Sequence, residues 1–226
     1  NPISETNGAK AFVFNAINFS DTNGDNHILS LRSNNTPVFS IAGNGDVKAK
    51  GTYYGASIIL GTSTNPGDLA ERVDIAIDDT VEPGDVMVID QNAPDTYRRS
   101  QNAYEQSVAG IISSNPTIVV GNGKTDYTAP MAMVGRVSVK VSNENGLIQR
   151  GDLLISASAP GFAMKYDASK DNNNKMVAVI GVALENSNAS TTDKVLALIR
   201  TGWIYNRDQA IGDLQNSIEQ MAVVQG

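Results

Sequence analysis

The hydrophobic positions of this chain fall mostly in short runs of period two, broken by glycine, asparagine and aspartate, and one arrangement of them occurs twice. In the first occurrence Glu82-Pro83-Gly84-Asp85 leads into Val86-Met87-Val88-Ile89. A polar stretch follows, and Ser107-Val108-Ala109-Gly110-Ile111-Ile112 closes the pattern. In the second, Gln149-Arg150-Gly151-Asp152 leads into Leu153-Leu154-Ile155-Ser156, and a further polar stretch gives way to Ala178-Val179-Ile180-Gly181-Val182-Ala183. The turn glycine precedes the strand-centre glycine by 26 residues in one case and by 30 in the other. A Gly-Asp turn opening one strand and a glycine inside the next, written twice, predicts a β-rich scaffold of two related units.

The flanks differ from this body. Residues 1–64 are expected to form a light β shaft-like segment: residues 11–19, 27–32 and 37–41 alternate in part, and Gly43-Asn44-Gly45-Asp46 offers the residues of a tight hairpin before Val47–Gly51 runs back. These strands carry few large apolar side chains, so strands of neighbouring copies could complete them. Residues 65–205 form the duplicated body, with the apolar run Ala129–Val141 between its units. Over residues 206–226 the period changes. Ile211, Leu214, Ile218 and Met221 follow one another at spacings of 3, 4 and 3. That spacing predicts a C-terminal amphipathic helix whose apolar seam suits a coiled coil between copies, capped by Asn206 or Asp208. A helix packed on its own domain is the alternative. The fold class expected is therefore mainly β, with a shaft-like segment, a duplicated body and one coiled-coil-like helix.

Composition narrows the chemistry. The chain has 226 residues, no cysteine and a single histidine, His27, so disulfides, thiolate chemistry and a multi-histidine metal site are excluded. Its formal net charge of −7, without a basic stripe, argues against nucleic acid as a partner. No run approaches the about 18 apolar residues of a membrane span, so no membrane insertion is expected. Richness in glycine, asparagine, serine and threonine is common in extracellular fibres. The chain begins at Asn1-Pro2 without a methionine, which suggests a piece of a longer protein.

Few constellations could carry chemistry. Asp68 and Glu71 stand three apart at the entrance to the body; on a helical turn they would share a face and could share a proton. A solvated turn ahead of a strand is the plainer reading. Asp21, Asn23 and Asp25 place oxygen ligands at alternate positions, as at the start of a calcium loop. Asn26 stands where that loop needs glycine and Arg32 where it needs glutamate, so a hairpin turn is expected, no metal is assigned, and calcium stays as the weaker alternative. Gly121-Asn122-Gly123-Lys124-Thr125 hints at a phosphate loop, but Ile118 occupies the place of its first glycine, and it reads as a turn. Arg150-Gly151-Asp152 spells an adhesion tripeptide, and its counterpart Pro83-Gly84-Asp85 marks it as a structural turn. No cofactor is expected.

Asp68-Leu69-Ala70-Glu71, then Glu82 to Asp90, then Ser107 to Thr117, with Gly121-Asn122 close behind, come in an order that is familiar. It resembles the autoproteolytic intramolecular-chaperone domain of phage neck appendages and related tail-fibre proteins, assigned to the glutamic peptidases. Val134 to Gly146 and Gly151 to Leu154 look like the extension found in bacterial fibre-protein relatives, and residues 38–51 are similar to the shaft repeats of trimeric tail fibres. The resemblance implies a trimeric module near the end of a fibre that helps three chains fold in register. In some relatives the module cuts its own chain just ahead of the domain with acidic residues; Asp68 and Glu71 match that motif, and a cut between about Gly61 and Gly67 would correspond. Here Asn65 precedes Pro66, which removes the backbone N–H that succinimide-type cleavage needs.

The expectation drawn from these readings is a structural and assembly module of an extracellular trimeric fibre, at a cell surface or on a virion, templating trimerisation without catalysis. Its partner is the chain itself as a homotrimer, with a cell-surface receptor or glycan as a further one. Two alternatives stay open: a self-cleaving glutamic-type peptidase and chaperone using Asp68 and Glu71, and a monomeric adhesin or carbohydrate-binding module with a platform at Trp203, Tyr53, Tyr54 or Tyr205.

Overall fold

The computed structural model describes residues 27–34, 36–42, 46–51, 67–170, 176–188, 194–205 and Gln215. Its described residues are mainly strand, and contacts divide the chain into residues 1–59 and 60–226. In the first unit β1 (His27–Ser33), β2 (Thr36–Ala42) and β3 (Val47–Ala49) form a three-stranded antiparallel sheet. Asn34, at φ 48°, turns β1 into β2, and Ile41 pairs with Val47 across the second hairpin. Asp21, Asn23 and Asp25 lie outside the described residues. So do Tyr53 and Tyr54, the 61–66 stretch and the expected helix over 206–226, of which only the exposed Gln215 is described.

Among the described residues of the second unit there are ten strands: β4 (Asp68–Ile75), β5 (Val86–Ile89), β6 (Thr96–Arg99), β7 (Val108–Ile112), β8 (Ile118–Val120), β9 (Thr128–Lys140), β10 (Leu153–Ser156), β11 (Ala163–Lys165), β12 (Met176–Ala183) and β13 (Lys194–Tyr205). Their pairing closes two rings. Strands β4, β9, β7, β5 and β6 pair in sequence, and β6 returns to β4, with Asp74 and Ile75 opposite Thr96 and Tyr97. Strands β9, β13, β12, β10 and β11 make the second ring, closed by a parallel bridge from Val141 to Ala163. The 13-residue strand β9 serves both rings. Its register slips between Leu69 and Ala70 of β4, leaving Met133 unmatched, and beyond that bulge its side chains exchange faces.

The sequence repeat is accompanied by a repeat in hydrogen bonding. Gly84 N–H donates to Ile112 and Ile112 N–H to Asp85; likewise Gly151 N–H donates to Ala183 and Ala183 N–H to Asp152. Both turn glycines have φ of 98°, in the left-handed region where a side chain is strained. Gly110 lies opposite Met87 and Gly181 opposite Leu154. A Cβ at Gly110 would come within 2.5 Å of the Ala132 carbonyl oxygen, and one at Gly181 within 2.1 Å of that of Leu198. The recurring strand-centre glycine thus lets β7 and β12 approach the next strand closely.

The first ring encloses Val73, Ile75, Met87, Ile112, Ala129 and Met131. The second encloses Val137, Val139, Leu154, Ile180, Val195 and Ile199, and Val86 and Ile111 from the back of the first ring join that core. The loop after β6 lays Ala103 and Tyr104 over Ile155, Met164 and Val177 on the outside of the second ring. Main-chain hydrogen bonds from Tyr104 to Ser156 and from Gly161 to Ser100 join the rings further.

Candidate functional site

Strand β4 organises the first site. One edge of it pairs with β9 throughout; the other is divided between β8, at Leu69 to Glu71, and β6, at Asp74 and Ile75. Between β6 and β8 a cleft of about 280 Å³ opens, lined among others by Glu71, Asp74, Asp95, Tyr97 and Lys124. Asp74 is buried and accepts from the backbone N–H groups of Lys124 at 2.9 Å and Thr125 at 2.9 Å, and from the Thr125 hydroxyl at 2.9 Å. The Lys124 N–H, opposed by burial and aided by the Thr125 donors, holds its carboxyl below the ordinary aspartate range. The loop that hints at phosphate binding therefore already directs its N–H groups at a carboxylate of this chain, as a turn would. Lys124 Nζ pairs with Asp95 across the mouth, and that bond raises the lysine pKa. Burial, then the charges of Asp95 and Glu71, push the Tyr97 phenol upwards.

Asp68 and Glu71 fall on β4, neither on a helical turn nor on a solvated one. Three residues apart on a strand, they project to opposite faces. Glu71 shares its face with Val73 and Ile75, at the rim of the first ring. Asp68 shares its face with Ala70 and is 6 % exposed, and its Oδ2 is buried without a hydrogen-bond partner. The condition under which the two carboxylates could share a proton, a common helical face, is not met along this strand. Among the described residues no group of three or more histidine, aspartate or glutamate side chains is placed to hold a metal ion.

A second polar cluster joins the two rings and was not visible as a motif. Lys140, at the end of β9, has Nζ 2.8 Å from Asp85 Oδ1 and 2.7 Å from Glu82 Oε2, and it lies 5.8 Å from the centre of the Phe162 ring. The Asp85 side chain is 1 % exposed and that of Lys140 15 %. Asp85 Oδ2 accepts from the Glu82 N–H at 2.7 Å, and Lys194 Nζ donates to the Pro83 carbonyl at 2.6 Å. Burial alone would lower the Lys140 pKa; its bonds to Asp85 and Glu82 outweigh this and raise it. Bonding to Lys140 lowers that of Glu82. Glu82 and Asp85 belong to a recognisable turn and Lys140 to an alternating run, but 55 residues separate Asp85 from Lys140, and only the closing of the rings brings them together.

The surface offers two apolar features. Among the described residues strand β8 ends the sheet, paired only with β4, and its Ile118, Val119 and Val120 are exposed. Ile118, Leu69 and Val134 lie side by side across β8, β4 and β9, with exposed Met133 next in the bulge. On β13, Trp203 and Tyr205 stand exposed two residues apart, hence on one face, with exposed Met176 opposite Tyr205. Arg150-Gly151-Asp152 is the turn its counterpart suggested: Asp152 Oδ2 accepts from the Gln149 N–H at 2.8 Å, as Asp85 does from Glu82. Among the described residues no helix is long and apolar enough to cross a membrane.

No protein-family model matches the chain, and no curated protein matches it in sequence. Among solved structures it is similar to the pre-mature bacteriophage phi29 gene product 12, at 12% identity and a TM-score of 0.45, over 73% of this chain and 25% of that one. It is also similar to the C-terminal fragment of the same gene product, at 11% identity and a TM-score of 0.40, over 59% of this chain and all of that fragment. The chain thus spans about a quarter of the length of the pre-mature protein.

Proposed function

We propose that the chain is a structural and assembly module of an extracellular trimeric fibre, of phage tail-fibre or bacterial-surface type, which templates the association of three copies without catalysis. The observation that carries this reading is the bare end of the sheet. An edge strand without a further strand partner among the described residues, with three exposed β-branched side chains continued by Val134 and Met133, is what isolated proteins usually blunt with charge or cover. A second copy would cover it, and the seam of Ile211, Leu214, Ile218 and Met221 would add a helical contact. The test is the solution mass of two variants. Ile118→Lys with Val134→Lys is expected to give monomers that keep the β-sheet spectrum, whereas Ile211→Ser, Leu214→Ser and Ile218→Ser together weaken association less. A chain that remains trimeric with the two lysines in place contradicts the assignment of this surface.

The buried, unpartnered oxygen of Asp68, directly after the 61–67 stretch, favours self-cleavage as a second reading. Freshly made protein would then yield two fragments, and Asp68→Asn one. The exposed Trp203 and Tyr205 favour a third, a stacking platform for sugar rings. A glycan array read with the wild type and with Trp203→Ala tests it, and binding unchanged by that substitution contradicts it.

A further inference from the structure

We propose that Lys140 and Asp85 join covalently in the folded chain, forming an isopeptide bond between Lys140 Nζ and Asp85 Cγ with Glu82 as the proton carrier. Four features of the cluster point to this. The amine and the carboxyl are already in contact at 2.8 Å, and the Asp85 side chain is 1 % exposed, so bulk water competes little for its carbonyl carbon. A second carboxylate, Glu82, touches the same Nζ at 2.7 Å. The Glu82 N–H bonds the other oxygen of Asp85 at 2.7 Å, where negative charge grows when an amine adds to that carboxyl. The Phe162 ring lies beside the amine.

The step balances within the cluster. The ion pair is the resting form, and the step starts when the proton shared along the Nζ–Oδ1 bond passes to Asp85, leaving a neutral amine beside a neutral carboxylic acid. The Nζ lone pair adds to Cγ and the C=O electrons move to Oδ2, held by the Glu82 N–H. The Glu82 carboxylate takes a proton from the nitrogen and returns it to the departing Oδ1 hydroxyl. The C–Oδ1 bond breaks, one water leaves and an amide remains; no oxidant, metal or co-reactant takes part. Asp152, in the same turn of the second stretch, has Gln149 at the place of Glu82 and no lysine partner among the described residues, so the chain carries an internal control.

The bond would tie the turn before β5 to the end of β9, a covalent staple in a chain without cysteine. It does not depend on the fibre reading, because it forms within one chain. The experiment is the intact mass of the purified full chain under denaturing conditions, with a proteolytic digest to find the joined peptides. The expected result is a mass lower by one water and a branched peptide linking residues 85 and 140. Lys140→Arg, which keeps the charge, restores the full mass, and Glu82→Gln slows bond formation by roughly a hundredfold. A full mass in folded wild-type chain overturns the proposal. So does a water loss that persists in Lys140→Arg, which would place the dehydration elsewhere.

Discussion

At Asp85 and at Asp152 the chain makes the same turn: a glycine at φ 98°, an aspartate whose Oδ2 takes the N–H three residues back, and main-chain bonds to the strand two elements on. What surrounds the turns differs. Asp85 is fully buried against Lys140 where the rings meet, whereas Asp152 is half-buried with no lysine partner among the described residues. Backbone geometry was kept in both copies because each needs a strand start and a close crossing at Gly110 or Gly181. The turn aspartate is paired with a lysine in one copy, at Lys140, where the two rings meet. The repeat therefore separates what makes a ring from what joins two rings.

Substitutions can break that separation. The largest effect is expected from Asp85→Ala, which leaves Lys140 with only the exposed Glu82; breaking a buried pair costs about 3–5 kcal/mol before any cross-link is counted. Asp152→Ala loses one hydrogen bond, about 1 kcal/mol, and urea melts of the two variants measure the difference. Next come the crossings. Gly181→Ala and Gly110→Ala each press a methyl group onto a backbone oxygen and should cost about 3 kcal/mol, with Gly181→Ala the worse because its contact is the shorter. Smaller again are Gly84→Ala and Gly151→Ala. Both meet the strained φ, about 1–3 kcal/mol, but only Gly84 also crowds Lys140 and Ser138, at 3.2 Å, so its midpoint falls further.

The smallest effect concerns pH. Asp74 and Asp79 have carboxyls held below their ordinary value in the fold: Asp74 chiefly by the Lys124 N–H, and Asp79 by its bonds to Arg99, which outweigh burial. Their stabilisation is complete above the unfolded pKa of about 4 and is lost as pH falls through the lower folded values. The raised Lys140 acts in the other direction: its contribution is full below about 10.4 and is lost as pH rises through the folded value. A cross-linked Lys140 no longer titrates, so a stability gap between wild type and Lys140→Arg that stays constant through alkaline melts fits the staple, whereas a gap that changes as pH rises past about 10.4 marks a free amine.

Much of the body was legible. Gly-Asp followed by an apolar run marks β5 and β10, and the strand-centre glycines mark β7 and β12, because a turn and a close crossing each demand a specific residue. Strands β6 and β11 were hidden in stretches read as polar, being four and three residues long with Thr96, Arg98 and Lys165 among them. The first half of β4, Asp68 to Glu71, reads in sequence as a turn ahead of a strand; tertiary partners on both edges, rather than local propensity, start the strand at Asp68. Ring closure and the Lys140 cluster depend on contacts far apart in sequence, which no local pattern encodes. Asp68 and Glu71 would share a face only on a helical turn; on strand β4 a spacing of three projects them to opposite faces.

The most direct test of the account is the molar mass of the wild-type 226-residue chain in solution, read by light scattering across a dilution series. The account predicts three times the monomer mass of 23.9 kDa, stable on dilution. A chain that stays monomeric at every concentration, with its apolar edge bare, would contradict it.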